Sequence, residues 1–531
     1  MANRLSKIHF YKYYTTFVGS KPQPKKHSPN RSIPTLKTKD THIRLIFGLK
    51  LRQLRKERGY STAELAGKLG LSMSYLNEIE NGKKYPKTDK IMSISQALDV
   101  PYDRMVSLKL TKNLAPIGQI LESNLLDDIP LELFGIDSQK LIEIIADAPM
   151  KVSAFISTII EIGRLYGMTQ ENFYFAALRS YQELNENYFE DLEKQVALFR
   201  NEFKMHNQSF DAKTLQDLLE TQYGYDIDQE TLGKHPQLNN IRSYFIPKKR
   251  KLLINKHLAD TQKAFLFGKE IGYQYMKLGD EREYITPWYK PSSFEQVLGN
   301  LKQSYFSGAL MINETDLVAD LEHFFSQNQW NGSLLNELMH KYNSSPEMFM
   351  QRLTNLVPKH FGLNNLFFLR FNKDFERNND ETHLTKELHI GQLHNPHATE
   401  LNEHYCRRWI STSIFEHIKQ LSDAGQYTQP IVAAQKSRHI DTKKDYFCIT
   451  FARKMGRNPN QSLSVTIGIL INNDSKKKIK FIDDPQVPTR DVNQACERCS
   501  IADCAQRAAP AKSVEEARNH EYIENTLKNL E

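Results

Sequence analysis

The 531-residue chain has 71 Lys and Arg against 63 Asp and Glu, for a formal net charge of +8, with 40% hydrophobic and 25% charged residues. That length exceeds one core and predicts two to four domains, and the composition excludes a chain-wide disordered polymer. No stretch of about 18 apolar residues occurs, so no helical membrane span is expected and a cytoplasmic location is.

The charge is unevenly placed. Residues 1–40 hold nine basic residues and one acid, and residues 41–112 hold fourteen basic residues and seven acids, so everything after 112 is net acidic. A basic front on an acidic body predicts a nucleic-acid-binding head joined to a separate module. Residues 1–40, rich in Pro, Ser and Lys, predict a disordered basic tail.

From 43 to 108 the sequence breaks into short helical blocks at Gly59, Gly70 and Gly82. Phe47, Leu51 and Leu54, then Leu65, Ala66 and Leu69, then Leu76 and Ile79 keep one face of successive helices apolar. With "EIENGKKYP" following, this stretch resembles the XRE helix-turn-helix family. The resemblance implies that Ser72, Ser74, Tyr75 and Asn77 reach base edges in the major groove of double-stranded operator DNA. It implies that Arg52, Arg55, Lys83, Lys84 and Lys87 meet phosphates. Thr62 stands where the family often has glutamine and retains a hydroxyl for a phosphate. Such heads act as dimers, so a homodimer or higher homo-oligomer on a near-palindromic site is expected.

Residues 113–212 read as a helical connector, with Tyr188, Phe189, Leu192 and Val196 on one core-facing stripe. From about 213 the order helix, paired short strands, helix resembles the ImmA/IrrE metallopeptidase-like domain. The last helix of that family carries H-E-x-x-H, two zinc ligands one turn apart with a glutamate base. Here the five residues are Lys269-Glu270-Ile271-Gly272-Tyr273. An ammonium repels a dication and a phenol is a poor ligand at neutral pH, so no catalytic residue is expected and proteolysis is the alternative to be tested.

Beyond the helix pair 334–356, the runs 366–372, 446–454 and 462–471 predict strands of an antiparallel sheet. All five cysteines lie after residue 405. Cys496, Cys499 and Cys504 have the spacing of a zinc or iron–sulfur site. Cys406 in "HYCRRW" is the expected fourth ligand, and Cys448, mid-strand, is expected to be an inert thiol.

Taken together, the head, the peptidase-like order, "CRRW", "YFCI" and "CERCSIADCAQRAAP" resemble the short-chain fatty-acyl regulators, which include methylcitrate- and glyoxylate-cycle regulators. That resemblance implies control of carbon and fatty-acid metabolism genes by a short-chain acyl-CoA, and a 4Fe–4S cluster, with zinc the alternative on spacing. An iron–sulfur redox or iron sensor is the other reading. Coenzyme A brings phosphates, for which Arg370, Arg407, Arg408, Arg453 and Lys454 are candidates, with Trp409 a stacking candidate.

The expected fold class is multidomain, mainly α with α+β portions. It comprises a five-helix head (41–112), the helical connector (113–212), an ImmA/IrrE-like α+β domain (213–330), and an α+β sensing domain with an antiparallel sheet (331–515). A helical tail (516–531) follows.

Overall fold

The computed structural model describes residues 36–107, 170–205, 210–238, 241–279, 291, 293–375, 382–391, 403–455 and 458–530. Most of the expected basic tail, residues 113–169 of the expected connector and the last residue lie outside them. By contact clustering, residues 36–107 belong to one compact unit and those from 170 onward to another. None of the described helices is long and apolar enough to cross a membrane.

The first unit contains five helices: α1 (Leu36–Glu57), α2 (Thr62–Leu69), α3 (Met73–Glu80), α4 (Thr88–Ala97) and α5 (Tyr102–Val106). Its boundaries are written locally. Ser61 caps α2 and forms a reciprocal capping box with Glu64, and Gly70 ends that helix at φ 61. Ser72 then caps α3 by accepting from the Tyr75 amide at 3.1 Å. Phe47, Leu51, Leu65, Leu76, Ile79 and Ile94 form the core between them. α1 crosses α3 closely at Gly48, where a Cβ would meet the carbonyl oxygens of Ile79 and Glu80.

The second unit begins with α6 (Gln170–Leu184), α7 (Glu190–Glu202) and α8 (Ala212–Tyr223). Short strands β1 (Asp226–Asp228), β2 (Ser243–Ile246) and β3 (Lys251–Ile254) follow, in the order β1-β3-β2, with β1 parallel and β2 antiparallel to β3. Five helices come next: α9 (Asp260–Tyr275), α10 (Phe294–Met311), α11 (Glu314–Phe325), α12 (Gly332–Lys341) and α13 (Pro346–Phe361). α9 and α10 approach closely because Gly268 and Gly272 present no side chain. A Cβ on Gly272 would fall 2.8 Å from the Phe306 ring.

The second sheet comprises β4 (Leu366–Asp374), β5 (Thr382–Ile390), β6 (Ile431–His439), β7 (Lys444–Met455), β8 (Asn458–Leu470) and β9 (Thr489–Val492). Its order is β5-β4-β8-β7-β6-β9. All neighbours are antiparallel except β9, which runs parallel to β6, so the expected antiparallel sheet is mixed. Helix α14 (Ile410–Asp423) lies on one face, and α15 (Asn473–Lys478) and α16 (Lys512–Lys528) complete the chain.

One hydrophobic cluster runs from Phe189, just before α7, through Phe267, Phe306 and Phe349 to Ile467 and Val487. It crosses the expected boundaries at 212 and 330 without interruption. Within it, fully buried Arg352 on α13 holds Glu193 on α7 through two bonds of 2.5 and 3.0 Å. Such a pair lends little net stability, but losing one partner would leave a buried unpaired charge.

Candidate functional site

On the head, Ser72, Ser74 and Asn77 stand exposed at the start and along the outer side of α3. Lys83 and Lys87 are exposed beyond it. Lys84, also exposed, pairs with Glu78 at 2.8 Å and lies 5.5 Å from the centre of the half-buried Tyr75 ring. Thr62 and Arg52 are partly exposed. Arg55 differs from expectation: it is buried, bound to Glu80 at 2.6 and 2.9 Å, and donates to the Tyr60 carbonyl at 2.9 Å. Its guanidinium fastens α1 to α3 instead of facing a phosphate.

In the body, α9 carries no chelating pair. Glu270 is buried and accepts from the Tyr225 hydroxyl at 3.1 Å, and that hydroxyl in turn accepts from Gln274 at 2.9 Å. The Tyr273 hydroxyl donates to the Gly279 carbonyl. Lys269 donates to Asn300 on α10 at 2.7 Å. Burial, reinforced by Arg242 and opposed by Glu270, lowers the Lys269 ammonium to about 8.

The charge of Lys269 is also felt by a second cation, Lys386. Arg370 on β4 stands directly opposite Lys386 on β5 in the sheet register. Like charges in that position repel unless something offsets them. Lys386 is exposed as a residue, yet its ammonium sits 5.9 Å from the centre of the buried Phe368 ring. Burial, with Arg370 and Lys269 nearby, brings that ammonium to about 8. Burial also lowers Arg370, with Glu347 opposing and Arg242 and Arg453 adding to the effect. Glu347 is committed elsewhere, to Arg453 at 2.5 and 3.1 Å. Burial alone would raise the Glu347 carboxyl, but Arg453 holds it below the usual range. Among the described residues the buried Arg370 Nε has no hydrogen-bond partner. Desolvated cations without a paired carboxylate are costly.

The cysteines form a second locus. Cys406, Cys496, Cys499 and Cys504 line one cavity together with Arg407, Arg408 and Arg507. The bridge between Tyr405 and Ala495 brings the two cysteine segments side by side. Arg507 fixes the loop by donating to the carbonyls of Cys496 at 2.8 Å, Cys499 at 3.1 Å and Ile501. The Ala508 amide donates to the Cys496 sulfur at 3.3 Å. Burial raises the Cys406 thiol, backbone hydrogen bonds partly offset this, and Cys496 and Cys499 add to it. Among the described residues no three His, Cys, Asp or Glu side chains are grouped to hold a metal ion. Cys448 lines a different cavity, and burial pushes its thiol up to about 12, Ser437 partly opposing.

Two family profiles match the chain: a helix-turn-helix over residues 51–105 and the IrrE N-terminal-like domain over 228–354. The transcriptional regulator YazB of Bacillus subtilis, itself described as uncharacterized, is 35% identical over 60 residues, 11% of this chain and 87% of its own. The chain belongs to the helix-turn-helix transcriptional regulators. The regulator SinR of Bacillus subtilis is 38% identical over 65 residues, 12% of this chain and 59% of its own. RamB, a helix-turn-helix transcriptional regulator of Mycobacterium tuberculosis, is 25% identical over 249 residues. That match covers 44% of this chain and 50% of RamB, so the chain spans about half the length of that relative.

In this regulator the candidate effector residues divide between the two faces of the large sheet. Arg370 and Arg453 both lie under the influence of Glu347 on α13, which binds Arg453 directly. Arg407 and Arg408 line the cysteine cavity instead. Trp409, expected to be available for stacking, is buried among Phe371, Tyr405 and His439 on the α14 face. Lys454 lies 5.8 Å from the centre of the Tyr427 ring. Sequence reading passed over Lys386 and Arg242, and treated Lys269 only as an argument against zinc. The signal for Lys386 was its cross-strand position opposite Arg370, which appears only once the register is known.

Proposed function

We propose that this regulator binds double-stranded operator DNA through the α2–α3 head as a dimer, and that a short-chain acyl-CoA biases two states of the body. In this reading the anionic phosphates of the effector occupy the cationic cluster of Lys269, Arg370 and Lys386. The observation that carries the proposal is the register that sets Arg370 beside Lys386, with Lys269 near enough to act on Lys386 electrostatically and, among the described residues, no carboxylate ion-paired to any of the three. A lysine in the former ligand position supplies the positive charge a zinc ion would bring, without its Lewis acidity. That argues for recognition of an anion in place of peptide hydrolysis.

The four cysteines that line one cavity supply the number and type of donors a 4Fe–4S cluster takes, with zinc the alternative, although their side chains are not drawn together as a metal group in this structure. Such a group would brace the loop 495–508 against the "CRRW" segment, and neighbouring Arg407, Arg408 and Arg507 would offset the thiolate charge. The backbone donor at Cys496 is of the kind that tunes cluster sulfur. Control of carbon or fatty-acid genes and a cytoplasmic setting belong to the same proposal.

Titration calorimetry of the full chain with propionyl-CoA, followed by DNA binding with and without it, tests the effector reading. Micromolar binding lost at least tenfold in Arg370→Gln, together with a ligand-dependent shift in operator affinity, is expected. Unchanged operator binding at saturating ligand would refute it. Coupling of this kind typically amounts to about 1–3 kcal/mol.

A further inference from the structure

The hairpin of β2 and β3 ends in a run of cations, Pro247-Lys248-Lys249-Arg250-Lys251, within a body that is net acidic as a whole. The fold holds this tip in place. Pro247–Lys249 forms a single helical turn, and Ile246 stands opposite Lys251 in the register. The Arg250 amide donates to the Pro247 carbonyl at 3.1 Å, and the Asp226 amide donates to the Arg250 carbonyl at 3.0 Å. Behind the tip, Leu252, Leu253 and Ile254 are buried, while residues 247–250 all stand exposed.

The carboxylates nearest the tip in this sheet are already engaged. Lys251 pairs with Asp228 at 2.9 Å and with Asp226 at 3.4 Å, and Lys256 pairs with Glu230 at 3.4 Å. Arg250 leans toward the end of α8, where its guanidinium would come within 3.6 Å of a Cβ on Gly224. Among the described residues, Lys248 and Lys249 have no carboxylate partner. A second lysine run, on α15, is arranged differently: Lys476 pairs with Asp483 at 3.0 Å and Lys477 with Asp474 at 3.9 Å. A solvated lysine needs no partner, so exposure alone decides nothing. What singles out the hairpin is two adjacent, uncompensated ammoniums on a ribbon whose backbone is already ordered, so that docking costs little beyond side-chain freedom.

We propose that the β2–β3 tip is a second contact to DNA, in which Lys248 and Lys249 meet phosphates irrespective of base sequence. The proposal rests on DNA binding by the head, which tethers a duplex to the same chain and raises the concentration of phosphate that the body meets. An anionic membrane offers the same charge. Apart from Pro247, however, the tip is entirely cationic. It has none of the aromatic or aliphatic side chains that seat a peptide in a lipid interface. Two such contacts add affinity that falls steeply with salt and leave base preference to the head.

The test measures binding of the full chain to a random-sequence duplex of about 60 base pairs, from about 50 to about 200 mM salt. The double variant Lys248→Gln, Lys249→Gln should keep the wild-type melting temperature. It should lower the slope of log affinity against log salt by about two units and weaken binding at the lowest salt by about fivefold or more. Lys476→Gln, Lys477→Gln removes the same charge from paired lysines and should leave the slope unchanged. Saturating duplex should slow reductive methylation of Lys248 and Lys249 in the wild-type chain. Equal slopes for wild type and the hairpin variant, or equal losses in the two double variants, would overturn the hairpin contact and leave the head's role standing. Failure of the wild-type chain to retain the duplex would overturn both. Vesicles containing phosphatidylserine serve as the other polyanion. Vesicle binding lost in the hairpin variant, with its DNA binding unchanged, would overturn the contact in favour of a membrane.

Discussion

Replacing Lys269 by methionine separates a cation kept for stability from one kept for binding. The lysine donates to Asn300 and is lowered from 10.5 to about 8, a difference that corresponds to about 3 kcal/mol of cost for holding the charge in the folded chain below pH 8. Solvent at the partly exposed stem screens some of this, and the lost Asn300 hydrogen bond costs about 1 kcal/mol. The net expectation for Lys269→Met without ligand at pH 7 is therefore a gain of about 1–2 kcal/mol. The pH dependence has a definite sign. Between about 8 and 10.5 the unfolded chain holds more protons at this residue than the folded chain, so wild-type stability from this group rises with pH across that window. Above it the advantage of the variant disappears. Urea denaturation at pH 7 and pH 10 measures both quantities, and calorimetry with a CoA thioester should show affinity lost in the variant. If Lys269→Met loses several kcal/mol at pH 7 yet binds effector normally, the ammonium is a structural staple and the reasoning fails.

Other consequences can be measured directly. In the head, Arg55→Ala should cost about 3–5 kcal/mol by leaving the Glu80 carboxylate buried and unpaired, seen as a lowered melting temperature, while a double Arg55→Met, Glu80→Leu variant should recover most of it. Gly272→Val should destabilise the body by about 1–3 kcal/mol or more, since its side chain drives into the Phe306 ring between α9 and α10. Lys83→Ala should lower the salt dependence of DNA binding by about one unit of slope, uniformly across sequences, whereas Asn77→Ala should change base preference in a selection experiment. Cys406→Ser should reduce the iron or zinc content of anaerobically purified protein, and Cys448→Ser should leave it unchanged.

What the sequence revealed was mostly local. The Ser61–Glu64 box and the Gly70 turn are encoded within a few residues, so the head could be read almost helix by helix. Strands β4, β7 and β8 were visible as apolar runs. β5 was missed because it lies at the sheet edge and its outward positions are His383, Thr385 and Lys386. The choice of Cys406 over Cys448 followed from the strand position of Cys448; the two line different cavities, and only Cys406 shares one with Cys496, Cys499 and Cys504. Arg55 misled because its partner is 25 residues away, and basic residues on a first helix look alike until one of them turns inward. The pairing of Arg370 with Lys386 was hidden for the same reason at larger scale: the β4–β5 register sets it, and nothing near Lys386 in sequence marks it.

The uninterrupted packing from α7 to the large sheet bears on how such a chain can be altered by recombination. A cut at residue 330 would divide the shared aromatic layer, in which Phe324 meets Phe481 at 5.0 Å and Trp330 meets Phe447 at 6.1 Å. Each half would expose a face that no solvent-adapted surface replaces. A peptidase-like fold in this setting is not a cassette that can be exchanged for a relative's. An exchange that preserves the interior has to carry both sides of this layer together, so new specificity in this body arises more readily by substitution in place.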